Sequence, residues 1–238
     1  MTGPTNLLWY SAVAIKFLFC LYLVWTRVAK KHPFLTLYLA NAVLRSLGAM
    51  QFAGIDGGAL SQAYTYFWLW TEPVLLLLQI GVALEVHAAL WKDYQTVAKS
   101  ARPLLLFSLL TALLFAALPV SAELRRASAI RVQVVMRFEF LATRYLSTVL
   151  AVFLVLSALL FLLAVRNSLK SSLFRHEGML AAYFGIYAIA YLIVNTGWKR
   201  AIFVNNYMLS ALTLCLVIWI SVFRPHRELL EVRPQGGA

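Results

Sequence analysis

Charged residues are scarce in this chain, and acidic residues are the scarcest. Only 13% of the 238 residues are charged, and nine are Asp or Glu, whereas about a quarter of a soluble domain is charged. Cysteine occurs only twice, which excludes a disulfide-rich scaffold. Apolar residues make up 62%, and the mean hydropathy is +0.79. The composition excludes a soluble globular domain and a disordered chain, and it indicates a chain that lipid solvates.

Seven apolar runs are long enough to cross a membrane as helices, which takes about 20 residues each. We therefore predict an all-α fold, a seven transmembrane helix bundle that forms a single membrane domain over 1–238. The first run is too long for the core of a signal peptide, so we interpret it as a true helix. The predicted helices lie at 7–27, 34–53, 66–90, 103–120, 140–164, 178–197 and 201–223.

Turn residues and charges mark the predicted breaks between these helices. The segment 54–58 predicts a flexible turn, and 166–177 and 197–200 separate the last three helices. Pro119 and Ser121 are expected to end the fourth helix, with Ser121 as a possible N-cap for a following one. The Arg-rich segment 121–139 is either a surface amphipathic helix or an extension of the fifth helix.

Lys and Arg are distributed unequally between the two predicted sides. Three lie in each of the loops after helices 1, 3 and 5 and three in the tail, against seven on the other side. The positive-inside rule then predicts an outer N-terminus and a C-terminus inside, in the cytoplasmic (inner) membrane of the cell. Because the net charge of +12 lies mainly beside apolar runs, the expected partners are the bilayer and its anionic lipids at the cytoplasmic face, not nucleic acid.

Aromatic side chains near the helix ends are typical of the belts that form at membrane interfaces. The predicted belt residues are Trp9, Tyr10, Trp25, Tyr64, Tyr66, Trp68, Trp70, Trp91 and Trp198.

Ionisable residues also occur inside the predicted spans, where they are costly and usually face the bundle interior. The surplus of positive charge in the outer half would attract anions, and a guanidinium binds a carboxylate or phosphate through two bonds. Gln79 joins this group because it follows Glu72 by seven residues and shares its helix face. The predicted ligand-binding residues are Lys16, Arg45, Glu72, Gln79, Arg144, Lys199 and Arg200.

A purely structural interpretation of the same charges stays open. Lys16 and Arg144 would then extend to the headgroups, and Arg45 and Glu72 would form one ion pair between helices.

No motif predicts catalysis, a metal or a cofactor. The four histidines fall near the predicted inner side without metal-ligand spacing, so we expect them to be solvated or interfacial. Cys20 and Cys215 lie in apolar runs and are expected to be small apolar residues. The last helix has no lysine for a retinal Schiff base, and no phosphate loop or dinucleotide motif is present. The histidines are His32, His87, His176 and His226.

Several sparse positions resemble a group of uncharacterised seven-helix membrane proteins of Acidobacteria. The resemblance extends over nearly the whole chain and implies a bacterial seven-helix bundle, but it implies no activity and no functional residue. The positions are Trp9-Tyr10, Tyr38-Leu39 with Arg45, Tyr66 with Trp70 and Glu72, and Leu84-Glu85-Val86.

Three functions fit this sequence. The leading hypothesis is a receptor-like or sensor-like bundle that binds a small anion in an outer-facing charged cavity. The alternatives are a small transporter that uses the same charges as a midplane site, and a structural subunit that pairs with another membrane protein. Flux across a membrane separates transport from sensing, and binding of any ligand separates both from a structural role.

Overall fold

The computed structural model describes residues 3–52, 55–56, 59–60, 62–126, 132–164, 172–195 and 201–222. Seven α-helices occur within these residues, so the predicted all-α class is confirmed. One short antiparallel pair, β1 (Ile55–Asp56) with β2 (Ala59–Leu60), lies at the predicted turn and aligns Ile55 with Leu60. The helices are α1 Gly3–Trp25, α2 Pro33–Phe52, α3 Gln62–Leu90, α4 Gln95–Arg126, α5 Val132–Ala164, α6 Ser172–Asn195 and α7 Ala201–Val222.

Five of these helices contain segments long and apolar enough to cross a membrane. The helix α2 is not among them because Asn41 and Arg45 lower its apolar character, and the described apolar part of α7 is the shorter stretch Asn206–Ser221. The chain therefore has the character of a multi-pass membrane protein. The five segments are Leu7–Trp25, Ala63–Leu90, Gln95–Ser121, Val134–Ala164 and Phe174–Ile193.

Large apolar side chains are exposed and several carboxylates are buried, as expected of a helix bundle that lipid surrounds. Leu163 and Phe107 are 83% and 69% exposed, whereas Glu72 and Glu177 are 3% and 0% exposed. A soluble domain would hide such apolar side chains and expose such carboxylates. The apolar outer surface therefore suits lipid tails, and the polar groups are enclosed by protein.

Several predicted helix boundaries were wrong. The fourth helix begins at Gln95 and continues through Pro103, Pro119 and Ser121, so Ser121 is no N-cap; its hydroxyl donates to the Leu118 carbonyl. Proline is tolerated in membrane helices because neighbouring helices and side chains satisfy the freed backbone groups. Residues 132–139 extend α5, as one of the two interpretations predicted. Helix α6 begins at Ser172 and includes part of the predicted break.

The packing of the helices forms a closed ring with one helix outside it. Around the ring, α1, α2, α3, α5, α6 and α7 each pack against the next, and α7 returns to α1. Helix α4 packs mainly on α5. Helices α2 and α3 approach closely, since a side-chain carbon added at Gly48 or Gly81 would meet the ring of Phe67 or Phe34.

Candidate functional sites inside the bundle

A buried ion pair links α2 to α3 in the half of the bundle where α2 ends. The Arg45 guanidinium pairs with the Glu72 carboxylate, and the Arg45 side chain is only 11% exposed. The other Glu72 oxygen accepts a hydrogen bond from the Thr143 hydroxyl of α5 at 3.0 Å. The guanidinium carbon also lies 3.8 Å from the centre of the Trp68 ring. We call Arg45, Trp68, Glu72 and Thr143 the Arg45 cluster.

The other predicted charges lie around this cluster in different ways. Lys16 is half-buried on α1 within electrostatic reach of Arg45, and no ion pair joins it to a carboxylate of the described chain. Glu139 is buried one helical turn before Thr143. Arg144 points elsewhere, with its guanidinium carbon 5.2 Å from the centre of the Tyr145 ring. The structure therefore brings Arg45 and Glu72 together and leaves Arg144 apart from them.

Hydroxyl and amide groups continue the polar interior at the middle of the bundle. The Tyr38 hydroxyl of α2 and the Tyr183 hydroxyl of α6 are 2.8 Å apart and hydrogen-bonded. Gln79 lies beside Tyr38, is 1% exposed, and has no hydrogen-bond partner for its side-chain oxygen in the described part. Gln79 and Glu72 are both buried, which agrees with the predicted shared helix face, and the role of Gln79 in binding a ligand stays a prediction.

A second polar group lies at the opposite end, where α2 begins and α3 ends. His32 Nδ1 is 3.1 Å from a Glu85 oxygen, and the other Glu85 oxygen accepts the Phe34 backbone N–H at 2.7 Å. The carboxylate therefore stabilises the first turn of α2, where backbone donors are unsatisfied. His176 of α6 packs beside His32, and its Nδ1 accepts the Trp219 indole N–H at 2.6 Å.

Three further side chains meet at the Ser157 hydroxyl at this same end. His87 Nδ1 and Trp91 Nε1 each lie 2.9 Å from the Ser157 oxygen, and the indole donates. Glu177 approaches the same hydroxyl, yet neither of its oxygens has a well-formed hydrogen bond among the described residues. We call the whole group the histidine cluster; its members are His32, Glu85, His87, Trp91, Ser157, His176, Glu177 and Trp219.

The two clusters lie far apart along α3, and a series of aromatic contacts extends between the two ends of the bundle. Glu72 and Glu85 are thirteen residues apart on α3, which corresponds to about 20 Å of helix. Ring contacts of 5.0–6.4 Å between centres run from Phe140 of α5, three residues before Thr143, through α6 and α7 to the histidine cluster. In order they join Phe140, Tyr191, Tyr187, Tyr183, Trp219, His176 and His32.

The histidine cluster corrects two sequence predictions. His32, His87 and His176 are each 2% exposed and are not solvated, and Trp91 is 2% exposed and is not an interfacial anchor. One ring nitrogen of each of these side chains bonds to a residue distant in sequence, a tertiary pairing that linear spacing does not reveal. The only signal in the sequence was the coincidence of Glu85, His87 and Glu177 with helix ends.

The remaining predictions divide between confirmed and untested. Cys215 is buried, as predicted, and Trp25 and Trp70 are 89% and 79% exposed, whereas their place at a membrane interface stays a prediction. Lys199, Arg200, Trp198 and His226 lie outside the described residues.

Among the described residues, no group of three or more His, Cys, Asp or Glu side chains is placed to hold a metal ion. Comparisons with protein-family models, with curated proteins and with solved structures each found no match to this chain.

Proposed function

We propose that this protein is a small transporter that moves a small anionic solute together with protons through its helix bundle. The observation that carries this proposal is the series of buried polar side chains from the Arg45 cluster to the histidine cluster. Ionisable groups inside a membrane are costly, and they are typical of solute paths and proton relays. A structural ion pair accounts for Arg45 and Glu72 but leaves Tyr38, Tyr183 and Glu177 without a role.

An anion is the solute that the charges favour. Lys16 and Arg45 lie near one another in an interior of low dielectric, where a positive potential concentrates anions. Glu72 compensates Arg45 while the site is empty, and an arriving carboxylate or phosphate competes with Glu72 for the guanidinium. Gln79 supplies an amide on the same face. Lys199 and Arg200 remain predicted members of this site, whereas Arg144 lies apart from the ion pair, beside the Tyr145 ring.

The proposal also includes a topology. All seven helices span the cytoplasmic membrane, with the N-terminus outside, the C-terminus inside and the Arg45 cluster nearer the outer face. The packing supports α2 as a span, because α2 lies between α1 and α3 in the ring and buries Leu35 and Leu39. The two remaining functions, a receptor for an anion and a subunit of a membrane complex, are outcomes of the same test.

The test is anion-driven proton movement into proteoliposomes. The purified chain is reconstituted with an entrapped pH indicator, and succinate or inorganic phosphate is added outside at equal pH. We expect the lumen to acidify with wild type and not with Lys16→Gln. Lys92→Gln is the matched control, because Lys92 is exposed outside the helices, so its flux should equal wild type.

The other outcomes overturn the transport proposal in distinguishable ways. If succinate or phosphate raises the melting temperature without flux, and only when Lys16 and Arg45 are present, the protein is a receptor. If neither anion shifts the melting temperature or moves protons, the charges are structural, and the protein belongs with a membrane partner.

A further inference from the structure

We propose that Glu177 is a buried proton-binding site at the end of the bundle opposite Arg45. Its residue is 0% exposed, and both side-chain oxygens lack a well-formed hydrogen bond within the described part of the chain. The carboxylates of Glu72 and Glu85 are buried with strong partners, namely Arg45 and Thr143 for the first and the Phe34 N–H and His32 for the second. Glu177 differs from both because nothing described compensates a negative charge on it.

In the described part of the chain, Glu177 lies beside a neutral hydroxyl and forms no ion pair with a cation. Ser157 has a single proton to share, and its oxygen already faces the Trp91 indole and His87. A protonated Glu177 donates to that oxygen, whereas an ionised Glu177 competes with His87 for the hydroxyl proton. Among the described residues, no ion pair joins Arg175 to Glu177, although Arg175 lies two residues earlier on α6.

The helices packed against α6 contribute several polar groups at this end of the bundle. Helix α5 contributes Ser157, α3 contributes Glu85 and His87, and α7 contributes the Trp219 indole, which donates to His176. None of these is a permanent cation; Arg102 of α4 lies within electrostatic reach of His87, but among the described residues no ion pair joins it to Glu177. Burying an isolated carboxylate is far more costly than burying the neutral acid, so such groups take up a proton when they are buried. Glu177 therefore holds a proton while it is buried and releases it when water reaches it.

The use of this proton in transport rests on the proposed transport function. The presence of the proton on Glu177 does not. Release towards the α6 N-terminal end would complete a cycle in which the anion enters beside Arg45 and the proton leaves beside Glu177. The two claims are tested separately, because protonation is read from the protein alone and transport is read from vesicles.

The first experiment labels the wild-type protein in proteoliposomes with dicyclohexylcarbodiimide, an apolar reagent for carboxylic acids. The acid O–H adds across one C=N bond, and the adduct rearranges to a stable N-acylurea with no leaving group and no redox change. Mass spectrometry locates the adduct. We expect labelling of Glu177 in acidic buffer, its loss in alkaline buffer, and no labelling of Glu72, which is the paired control.

The second experiment reads the proton without a reagent. Infrared spectra should contain the carbonyl band of a neutral carboxylic acid that is lost in Glu177→Gln and retained in Glu85→Gln. If Glu177 is never labelled and no carbonyl band depends on it, the proposal is overturned. Protection from labelling by sodium at constant pH also overturns it, because the site then binds a metal cation. Labelling without any anion-driven flux keeps the proton site and rejects the transport function.

Discussion

The Arg45 cluster and the histidine cluster solve the same problem in different ways. Both enclose carboxylates inside an apolar bundle, but Glu72 pairs with a guanidinium and accepts a bond from a hydroxyl, whereas Glu177 only approaches the Ser157 hydroxyl and forms no ion pair among the described residues. Elsewhere in the histidine cluster, Glu85 is held by His32 and a backbone N–H, and Trp91 bonds to Ser157. We infer from this difference that one end of the bundle is held by an ion pair of permanent charges and that Glu177, at the other end, can change its protonation.

The largest effect is expected from breaking the ion pair. Arg45→Gln or Glu72→Gln alone should lower the free energy of unfolding by about 3–5 kcal/mol, because each leaves a buried charge unpaired. The double variant should recover much of this loss. Unfolding in detergent micelles measures all four proteins. If the double variant loses as much as the two single variants together, the pairing does not contribute to stability.

A smaller loss is expected at the opposite end. Ser157→Ala removes the acceptor of the Trp91 indole and the partner of His87, which should cost about 1–3 kcal/mol because two buried polar atoms lose their bonds. Ser108→Ala is the matched control, since the hydroxyl of that half-buried serine donates to the Leu104 carbonyl of its own helix. Equal melting temperatures for the two variants would show that the histidine cluster is not held through Ser157.

Thr143→Val tests the hydrogen bond to Glu72, which is weaker than the ion pair in the Arg45 cluster. The change keeps the shape and removes one hydrogen bond to Glu72, so we expect a loss of about 1 kcal/mol. Thr148→Val on the exposed face of α5 should lose less, because its hydroxyl bonds only to the Arg144 carbonyl. A loss at Thr143 as large as that of Arg45→Gln would mean that the hydroxyl, not the guanidinium, holds Glu72 in place.

The smallest effect is expected at Arg144. Its guanidinium lies 5.2 Å from the centre of the Tyr145 ring and forms no ion pair with a described carboxylate, so Arg144→Gln should change stability by roughly 0.5 kcal/mol or less. Thermal unfolding beside Arg45→Gln provides the comparison. A loss equal to that of Arg45→Gln would place Arg144 in the ion-pair network after all and restore the site that the sequence predicted.

The sequence predicted the features that depend on neighbouring residues in the chain. Length and hydropathy are enough to identify apolar helices, and seven-residue spacing correctly turned Gln79 and Glu72 to one face. The loop boundaries near Pro103 and Pro119 were wrong because proline ends helices in water but not in a packed membrane bundle. Most tertiary partners could not be predicted from the sequence. The charges of Arg45 and Glu72 and their depth in the predicted spans made their pairing a good hypothesis. No local pattern in the sequence indicates that His176 bonds to Trp219 or His87 to Ser157.

The central claim is that the two ends of the bundle are connected for transport, and the Tyr38–Tyr183 pair at its middle offers the most direct test. The double variant Tyr38→Phe/Tyr183→Phe removes both hydroxyls, so neither is left unsatisfied and the fold should persist. The measurement is succinate-driven acidification of proteoliposomes, with succinate binding read from thermal shift. The account predicts that the double variant binds succinate like wild type but loses most of the flux. Flux equal to wild type would contradict it.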